Sequence, residues 1–242
     1  MQFEKVEKKG SRLVLRIKGA TVAQANAMRR AVVSSLSSFA IDEVDVYENN
    51  SPLFNEYIAN RLGLVPLTWE EGVADDAKIS LTVDAEGPRT VYSKDLQSTD
   101  EKIAPFLQNI PIISLSEGQR FRAEAIAAKG TARQHAKYQC ALASYSYYPN
   151  FAVNKNCNNC KECVDACPKR VISKDIKLEN ADKCDLCGAC EAACPKGAIK
   201  VKPKEGEFSF AVESYNNVGP QEHLEKALSI LHAKAEELKK EL

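Results

Sequence analysis

Across residues 1–40, the spacing of hydrophobic positions changes from that of a strand to that of a helix. A short strand around Phe3 precedes a turn at Gly10, and a second strand follows in which every other residue is hydrophobic. The alternating positions of this second strand are Leu13, Leu15 and Ile17. Gly19 then ends the strand, and Thr21 is suited to cap a helix over VAQANAMRRAVVSSL. The pattern predicts the order strand, strand, helix.

The next stretch, residues 41–151, combines short strands with one helix. IDEVDVYEN predicts a strand, and Ser51-Pro52 predicts the start of a helix that ends at Gly63. The hydrophobic face of that helix is expected to comprise Phe54, Ile58 and Leu62. KISLTVDAEGPRTVYS is typical of a hairpin that turns at Gly87, and further strands are expected at 112–115, at 121–127 and in CALASYSYYP. This stretch is predicted to be α+β with an antiparallel sheet.

The C-terminal region predicts one strand and one long helix. FSFAVES alternates hydrophobic and polar positions, and Pro220 is suited to begin a helix that runs to the end of the chain. The hydrophobic positions of this helix are Leu224, Leu228, Leu231, Ala235, Leu238 and Leu242. Steps of alternately four and three residues give a seam narrow enough for one partner helix. Packing against the chain's own N-terminal helix is a compatible alternative.

Composition excludes several classes of protein. Lysine plus arginine equals aspartate plus glutamate at 33 each in 242 residues, so no net charge favours DNA or an anionic membrane as a direct partner. No hydrophobic run approaches the length of a transmembrane helix. The chain starts MQFEKVEKKG without a hydrophobic signal segment, and we expect a cytoplasmic protein.

Eight of the nine cysteines form two copies of the pattern C-x2-C-x2-C-x3-C-P. The first copy comprises Cys157, Cys160, Cys163 and Cys167, and the second comprises Cys184, Cys187, Cys190 and Cys194. This run holds [4Fe–4S] clusters in bacterial ferredoxins. The copies are offset by 27 residues, and CPKRVIS aligns with CPKGAIK. The offset predicts a pseudo-two-fold ferredoxin-like module in which Val171, Ile172, Ile199 and Val201 keep water from two clusters.

The fourth cysteine of each run is expected to serve the cluster of the other run, as in two-cluster ferredoxins. We therefore predict that the first cluster binds Cys157, Cys160, Cys163 and Cys194. The second cluster is predicted to bind Cys184, Cys187, Cys190 and Cys167. All eight ligand positions are then filled, which disfavours an iron–sulfur enzyme with an open iron.

Other uses of these cysteines are weaker explanations. Four disulfides need an oxidising compartment, and zinc sites prefer C-x2-C pairs separated by a longer loop. Cys140 lies outside both runs and is expected to be a small buried hydrophobic residue. The chain contains neither a dinucleotide-binding G-x-G-x-x-G nor a phosphate-binding G-x-x-x-x-G-K-[ST] motif, and its three histidines are scattered. No catalytic residues are predicted.

The order of motifs resembles the alpha-type assembly subunits of multisubunit RNA polymerases. The similarity lies in NAMRRAVVSSLSSFAI, in the following helix with its GLVPL turn, and in KGTARQHAKYQCALASYSYYP before the cysteines. It extends over essentially the whole chain. The resemblance is strongest to the archaeal branch of this family, which carries a ferredoxin-like insertion in some lineages.

The resemblance implies a discontinuous architecture. Residues 1–40 and 207–242 are expected to form a dimerisation domain, with an inserted α+β domain at 41–151 and the ferredoxin-like domain at 152–206. The implied partner of the dimerisation domain is polymerase subunit L. The two large catalytic subunits and the small subunits N and P are then expected to assemble on this heterodimer. The helix bearing Arg29 and Arg30 is expected to face the large subunits.

Two functions are compatible with these features. A noncatalytic scaffold subunit of archaeal DNA-directed RNA polymerase is the function that the resemblance implies, with clusters that stabilise the inserted region and control assembly. An electron-transfer subunit of an oxidoreductase is the alternative that two clusters alone would favour. Soluble ferredoxins usually have an acidic surface, whereas residues 152–205 hold eleven Lys/Arg and eight Asp/Glu. This balance favours the scaffold.

Overall fold

A computed structural model of the protein describes residues 1–241. The chain divides into two compact units, one formed by residues 1–29 and 143–212 and the other by residues 30–142 and 213–242. The two units are defined by contacts within the single chain. They do not test the predicted division into a dimerisation domain, an inserted α+β domain and a ferredoxin-like domain, which stays a prediction. No helix within residues 1–241 is both long and hydrophobic enough to cross a membrane.

The first unit is built on a four-stranded sheet. Its strands are β1 (Gln2–Lys9), β2 (Arg12–Lys18), most of β9 (Ala141–Val153) and most of β10 (Ile199–Ser214), in the order β1-β2-β10-β9. The predicted alternation is confirmed, since Leu13, Leu15 and Ile17 are buried. Val14, on the opposite face of β2, is buried as well. The predicted FSFAVES strand is the last part of the longer β10, which begins inside the cysteine module.

The predicted N-terminal helix is α1 (Val22–Ser34), which crosses the boundary between the units. Thr21 caps it as predicted: the Thr21 hydroxyl accepts a hydrogen bond from the Gln24 N–H, and the Gln24 side chain accepts one from the Thr21 N–H. The buried face of the helix includes Met28, Ala31 and Val32.

The second unit contains a four-stranded sheet, a two-stranded sheet and two helices. The larger sheet has the order β3-β8-β4-β6, from strands Ser37–Asn49, Arg120–Thr131, Ile79–Glu86 and Gln97–Ser98. The smaller sheet pairs β5 (Arg89–Tyr92) with β7 (Pro111–Leu115), and the helices are α2 (Asn55–Gly63) and α5 (Pro220–Glu241). The sheets and α2 enclose a core that includes Ile41, Ile58, Leu62, Leu81, Ile112 and Phe121. The chain is α+β, as predicted.

Two local predictions for this unit are wrong. The expected hairpin at Gly87 does not form, because β4 pairs with β8 and β6 whereas β5 pairs with β7. The Gly87 N–H donates to the Gln119 carbonyl at 2.8 Å, which ties the turn to the connection between β7 and β8. Helix α2 begins at Asn55 rather than near Pro52, because Asn49 accepts hydrogen bonds from the N–H and hydroxyl of Ser51. Phe54 is consequently extended and 79% exposed.

Helix α5 begins at Pro220 as predicted, and Leu224 and Ala227 are buried on it. The predicted seam is covered only in its first turns, because Ala235 is exposed and Leu238 is 58% exposed. Leu242, the last seam position, lies outside the described residues. The described positions of the C-terminal half, Ala235 and Leu238, therefore face solvent in the single chain.

Candidate iron–sulfur site

The duplication of the cysteine runs extends to the backbone. The short helices α3 (Glu162–Asp165) and α4 (Ala189–Ala192) occupy equivalent places in the two runs. Left-handed backbone conformations recur at the same 27-residue offset, in the pairs Asn159/Leu186, Lys161/Gly188 and Arg170/Gly197. Four non-glycine residues in these pairs adopt a conformation that L-amino acids disfavour. Such strain is typical of functional sites, so the loops are candidates for a ligand-binding role.

The first group of thiols surrounds Cys163, which is 4% exposed. Burial raises the pKa of the Cys163 thiol, and the nearby Cys157, Cys194 and Cys160 raise it further. Three cysteines of the first run and the last cysteine of the second run are therefore neighbours. These four are the predicted ligands of the first cluster; their ligation stays a prediction.

The second group lines a cavity in the module. The cysteines in its wall are Cys167, Cys184, Cys187 and Cys190, the predicted ligands of the second cluster. Burial raises the pKa values of Cys184 and Cys190, and the proximity of Cys167 raises both further. The fourth cysteine of the first run thus lies with the second run, although binding of iron by this set is still a prediction.

Hydrophobic side chains form most of the remaining wall of this cavity. They include Phe151, Val171, Ile172, Leu178 and Val201. Ile172 and Ile199 are nearly fully buried and pack in one cluster with Cys163 and Cys190. The residues that were expected to exclude water therefore lie against the thiols, in a setting of low polarity that affects reduction potential.

One thiol also receives a backbone hydrogen bond. The Ala198 N–H donates to Cys194 Sγ at 3.2 Å, and this donation is the largest cause of the lowered pKa of Cys194. Hydrogen bonds to sulfur stabilise the thiolate that binds iron. The β10 strand that starts at Ile199 holds this donor in place, and the Val201 N–H is in turn bonded to the Glu191 carboxylate.

The donor set fits iron–sulfur clusters better than a single metal ion. Within residues 1–241, no three His, Cys, Asp or Glu side chains converge closely enough to hold one ion. A [4Fe–4S] cluster instead takes one thiolate on each of four irons, so its ligands need not meet at one point. Two groups of four cysteines among hydrophobic side chains match that requirement.

Comparison with known protein families adds independent matches. Residues 41–146 match the model of the RNA polymerase Rpb3/RpoA insert domain. Residues 154–170 and 179–200 each match a 4Fe-4S binding domain. The two iron–sulfur matches each fall on one of the cysteine runs.

Relatives extend the similarity over the whole chain. DNA-directed RNA polymerase subunit Rpo3 of Archaeoglobus fulgidus is 39% identical, and the alignment covers 99% of this chain and 97% of the relative. The chain belongs to the Rpo3 family. The Rpo3 subunit of Methanothermobacter thermautotrophicus is 36% identical over 96% of this chain and 95% of its own length. The Rpo3 subunit of Thermococcus kodakarensis is 34% identical over 100% of this chain and 98% of its own length.

The ninth cysteine of this Rpo3-family chain plays a different part. Cys140 is 5% exposed and belongs to the second unit, whereas the module belongs to the first. Burial raises the pKa of its thiol to about 11, so it is protonated and unreactive at neutral pH. The prediction that Cys140 is a small buried hydrophobic residue is confirmed.

Sequence reasoning identified the cysteines but missed two supporting groups. The Ala198 N–H and the Glu191 carboxylate have no signature in the spacing, because alanine and glutamate at these positions are ordinary residues. Their roles arise from the return of β10 past the second run. The sequence gives one hint of this geometry. Gly197, which directly precedes Ala198, has a φ of 55°, a conformation that favours glycine.

Proposed function

We propose that this chain is a noncatalytic assembly subunit of an archaeal DNA-directed RNA polymerase. The observation that carries the proposal is the near-complete, two-way coverage of the alignments with Rpo3 subunits. A match to the Rpb3/RpoA insert domain in the middle of the chain agrees with it. In this proposal nucleotidyl transfer belongs to the large subunits, and this chain supplies a platform.

The proposed partner of the dimerisation domain, residues 1–40 and 207–242, is subunit L. The half-uncovered seam of α5 supports this pairing, because Leu238 is 58% exposed on a helix whose first turns are buried. Exposed hydrophobic seams of this kind are covered in oligomers by a partner helix.

The heterodimer is proposed to receive the two large catalytic subunits and the small subunits N and P. Arg29 and Arg30 on α1 are candidates for contacts with a large subunit. The Arg29 guanidinium is held by Asn26 Oδ1 at 3.0 Å, whereas Arg30 is exposed. An oriented arginine next to an exposed one suits a polar protein–protein contact.

Two [4Fe–4S] clusters are proposed as cofactors, with the ligand sets predicted above. When bound, such clusters supply cross-links between the two runs and the capacity for one-electron transfer. The chain's own contribution is to hold the thiols in two groups, to exclude water with Ile172 and Ile199, and to donate the Ala198 N–H to Cys194. Because cluster binding is coupled to folding of the module, we propose that cluster occupancy controls assembly of the polymerase.

An electron-transfer subunit of an oxidoreductase is the second candidate. The favouring observation is the cavity of the second cysteine group, in which four thiols are surrounded by hydrophobic residues. This function needs a redox partner rather than polymerase subunits.

Co-purification of the tagged chain from its own cells under anaerobic conditions distinguishes the two candidates. Recovery with polymerase large subunits and a small alpha-like chain is the expected result. Recovery with a flavoprotein or hydrogenase, and without polymerase subunits, would overturn the assembly function.

The control of assembly by clusters is tested separately. The triple variant Cys157→Ser, Cys160→Ser, Cys163→Ser is expected to pair with subunit L but to assemble poorly with the large subunits. The variant Cys140→Ser, which changes a cysteine outside the module, is the matched control. Normal assembly and transcription by the cluster-deficient triple variant would contradict the structural role. A transcription rate that follows reduction potential at constant assembly would indicate a redox relay instead.

A further inference from the structure

A wide groove in the first unit lies where the face of its sheet meets the cysteine module. Its cavity volume is about 610 Å³, within the ~300–1000 Å³ typical of ligand-binding pockets. The sheet side is lined by small or hydroxyl-bearing side chains, among them Ser144, Ser146 and Ser209. These three hydroxyls form no side-chain hydrogen bond with another described residue of the unit. The groove therefore has room for a chain segment and free groups to bind its backbone.

The rim of the groove carries four cations from two separate parts of the unit. Lys9 and Arg12 flank the turn between β1 and β2, whereas Lys169 and Lys183 belong to the module. All four are exposed. None forms an ion pair with another residue of its unit in the part of the chain that the structure describes. Their charges are thus available to a ligand.

Two carboxylates also line the groove, those of Glu7 and Asp182. Four cations minus two carboxylates leave an excess of two positive charges. Because the whole chain is neutral, this excess is a local feature of the groove. A ligand with several negative charges is favoured, provided that it tolerates an occasional carboxylate beside it.

We propose that this groove binds an extended acidic polypeptide segment of a partner protein. A polypeptide can place glutamates or aspartates opposite the four cations and neutral residues opposite Glu7 and Asp182. Its backbone can pair with the serine hydroxyls along the sheet. This inference goes beyond the proposed function, since it adds a binding site for a segment of defined chemistry.

Nucleic acid is a poorer match for the groove. A phosphate backbone carries a charge at every nucleotide and would meet both carboxylates. Single strands are also bound mainly by aromatic platforms, yet Tyr145 is the sole aromatic residue in the lining. The Tyr145 ring already packs edge-on against Phe208, with centroids 5.7 Å apart.

The position of the groove links it to the second cysteine group. Lys169 is two residues beyond Cys167, and Lys183 directly precedes Cys184. The groove and the cavity lined by these cysteines both include Lys169. A segment bound here would therefore contact the loops that hold the second thiol group, and its affinity would depend on the folded module.

The proposal is tested by fluorescence anisotropy with the full chain, purified anaerobically with its metal. The probe is a short labelled peptide in which glutamate alternates with glycine. The double variant Lys169→Glu, Lys183→Glu is expected to weaken binding about tenfold or more, because two attractions become repulsions. The double variant Lys9→Glu, Arg12→Glu is expected to do the same from the sheet side. Binding by the unchanged chain should weaken as salt is added.

The matched control is Lys174→Glu, Lys177→Glu, which makes the same charge change on exposed residues of the module outside the groove. It should leave the affinity within about twofold, since exposed charges away from the site are screened. Equal losses in the control and groove variants would overturn the proposal, as would a peptide that does not bind. If a single-stranded oligonucleotide binds more tightly than the peptide, and the groove variants weaken that binding, the ligand of the groove is nucleic acid and the proposal is wrong. Metal content and circular dichroism verify that each variant folds. If the Lys169→Glu, Lys183→Glu variant does not fold, the result for Lys9→Glu, Arg12→Glu decides the test.

Discussion

At the scale of single residues, Gly130 in β8 lies directly against the ring of Tyr138. A Cβ at this position would be 2.7 Å from Tyr138 Cζ, closer than packed atoms approach. Tyr138 cannot easily move, because it is 6% exposed and its hydroxyl donates to Asp42 Oδ1 at 3.2 Å. Burial, together with Asp42, raises the pKa of Tyr138 to about 12, so the hydroxyl stays a donor. Glycine at position 130 is required by packing.

We therefore expect Gly130→Ala to lower the free energy of unfolding of the second unit by about 3 kcal/mol, through overpacking and the strained Tyr138 hydrogen bond. Chemical denaturation followed by fluorescence measures this, since the single tryptophan, Trp69, lies in that unit. The control is Gly219→Ala, whose Cβ would meet no atom within 4 Å. Comparable losses in both variants would show that Tyr138 is not the cause.

A second residue-scale feature is the buried His223 on α5. The ring is 3% exposed, and its Nε2 lies 3.0 Å from Asn216 Oδ1 and 3.2 Å from Ser214 Oγ. Burial lowers the pKa of His223 to about 4, and the positive charge of Lys226 contributes. The folded chain therefore keeps this histidine neutral, with Nε2–H donating to Asn216.

This pKa predicts a loss of stability in mild acid. In the unfolded chain histidine binds a proton below about pH 6.5, whereas folded His223 resists protonation until about pH 4. The stabilising contribution is complete above pH 6.5 and is lost as the pH falls towards 4, by roughly 2–3 kcal/mol. Trp69 fluorescence at a series of pH values measures it. His223→Gln should have a flatter pH dependence, and parallel curves for the two chains would refute the assignment.

At the scale of elements, α5 combines a buried first half with an uncovered second half. Leu224 is 5% exposed, whereas Leu238 is 58% exposed on the same predicted seam. The two halves therefore have different expected roles, the first in the fold of the unit and the second in pairing.

Leu238→Glu tests this division. The free energy of unfolding of the isolated chain should change by less than about 0.5 kcal/mol, because the side chain is already exposed. Affinity for subunit L, measured by titration of the two purified chains, should fall about tenfold or more, because a charge would be buried in a hydrophobic seam. Lys234→Glu on the same helix but off the seam should bind normally. Unchanged affinity of the Leu238 variant would remove the seam from the interface.

The elements also show where sequence patterns stop being informative. Period-two alternation correctly identified β2 and the end of β10, since both faces of a strand are set by local geometry. The same pattern gave no pairing partners, so β4 and β5 were predicted as a hairpin although they join different sheets. The start of α2 was misplaced because Ser51 is used in a turn with Asn49.

At the scale of the whole molecule, the second unit and the cysteine module depend on different sources of stability. The hydrophobic core of the second unit includes Phe39, Leu81, Phe121 and many others. The buried cluster of the cysteine module is much smaller and comprises Ile172, Ile176 and Ile199 with two cysteines. So small a core rarely suffices without a metal or another cross-link.

Removal of metal should therefore unfold the module first. After chelation and exposure to air, limited proteolysis is expected to cleave within residues 154–204 while Trp69 fluorescence still reports a folded second unit. Reconstitution with iron and sulfide under anaerobic conditions is the control and should restore resistance. Simultaneous loss of both signals would show that the module and the second unit do not differ in this way.

The sequence by itself determined the iron–sulfur motif, most of the helices and strands, and the resemblance to a family. These features depend on the order of residues and on local sterics. The tertiary structure decided which strands pair, that Cys194 neighbours Cys163 and Cys167 neighbours Cys190, and that cations from a hairpin and a module share one groove. Such juxtapositions join residues far apart in the chain. They follow from the packing energy of the folded chain as a whole, which no local pattern encodes.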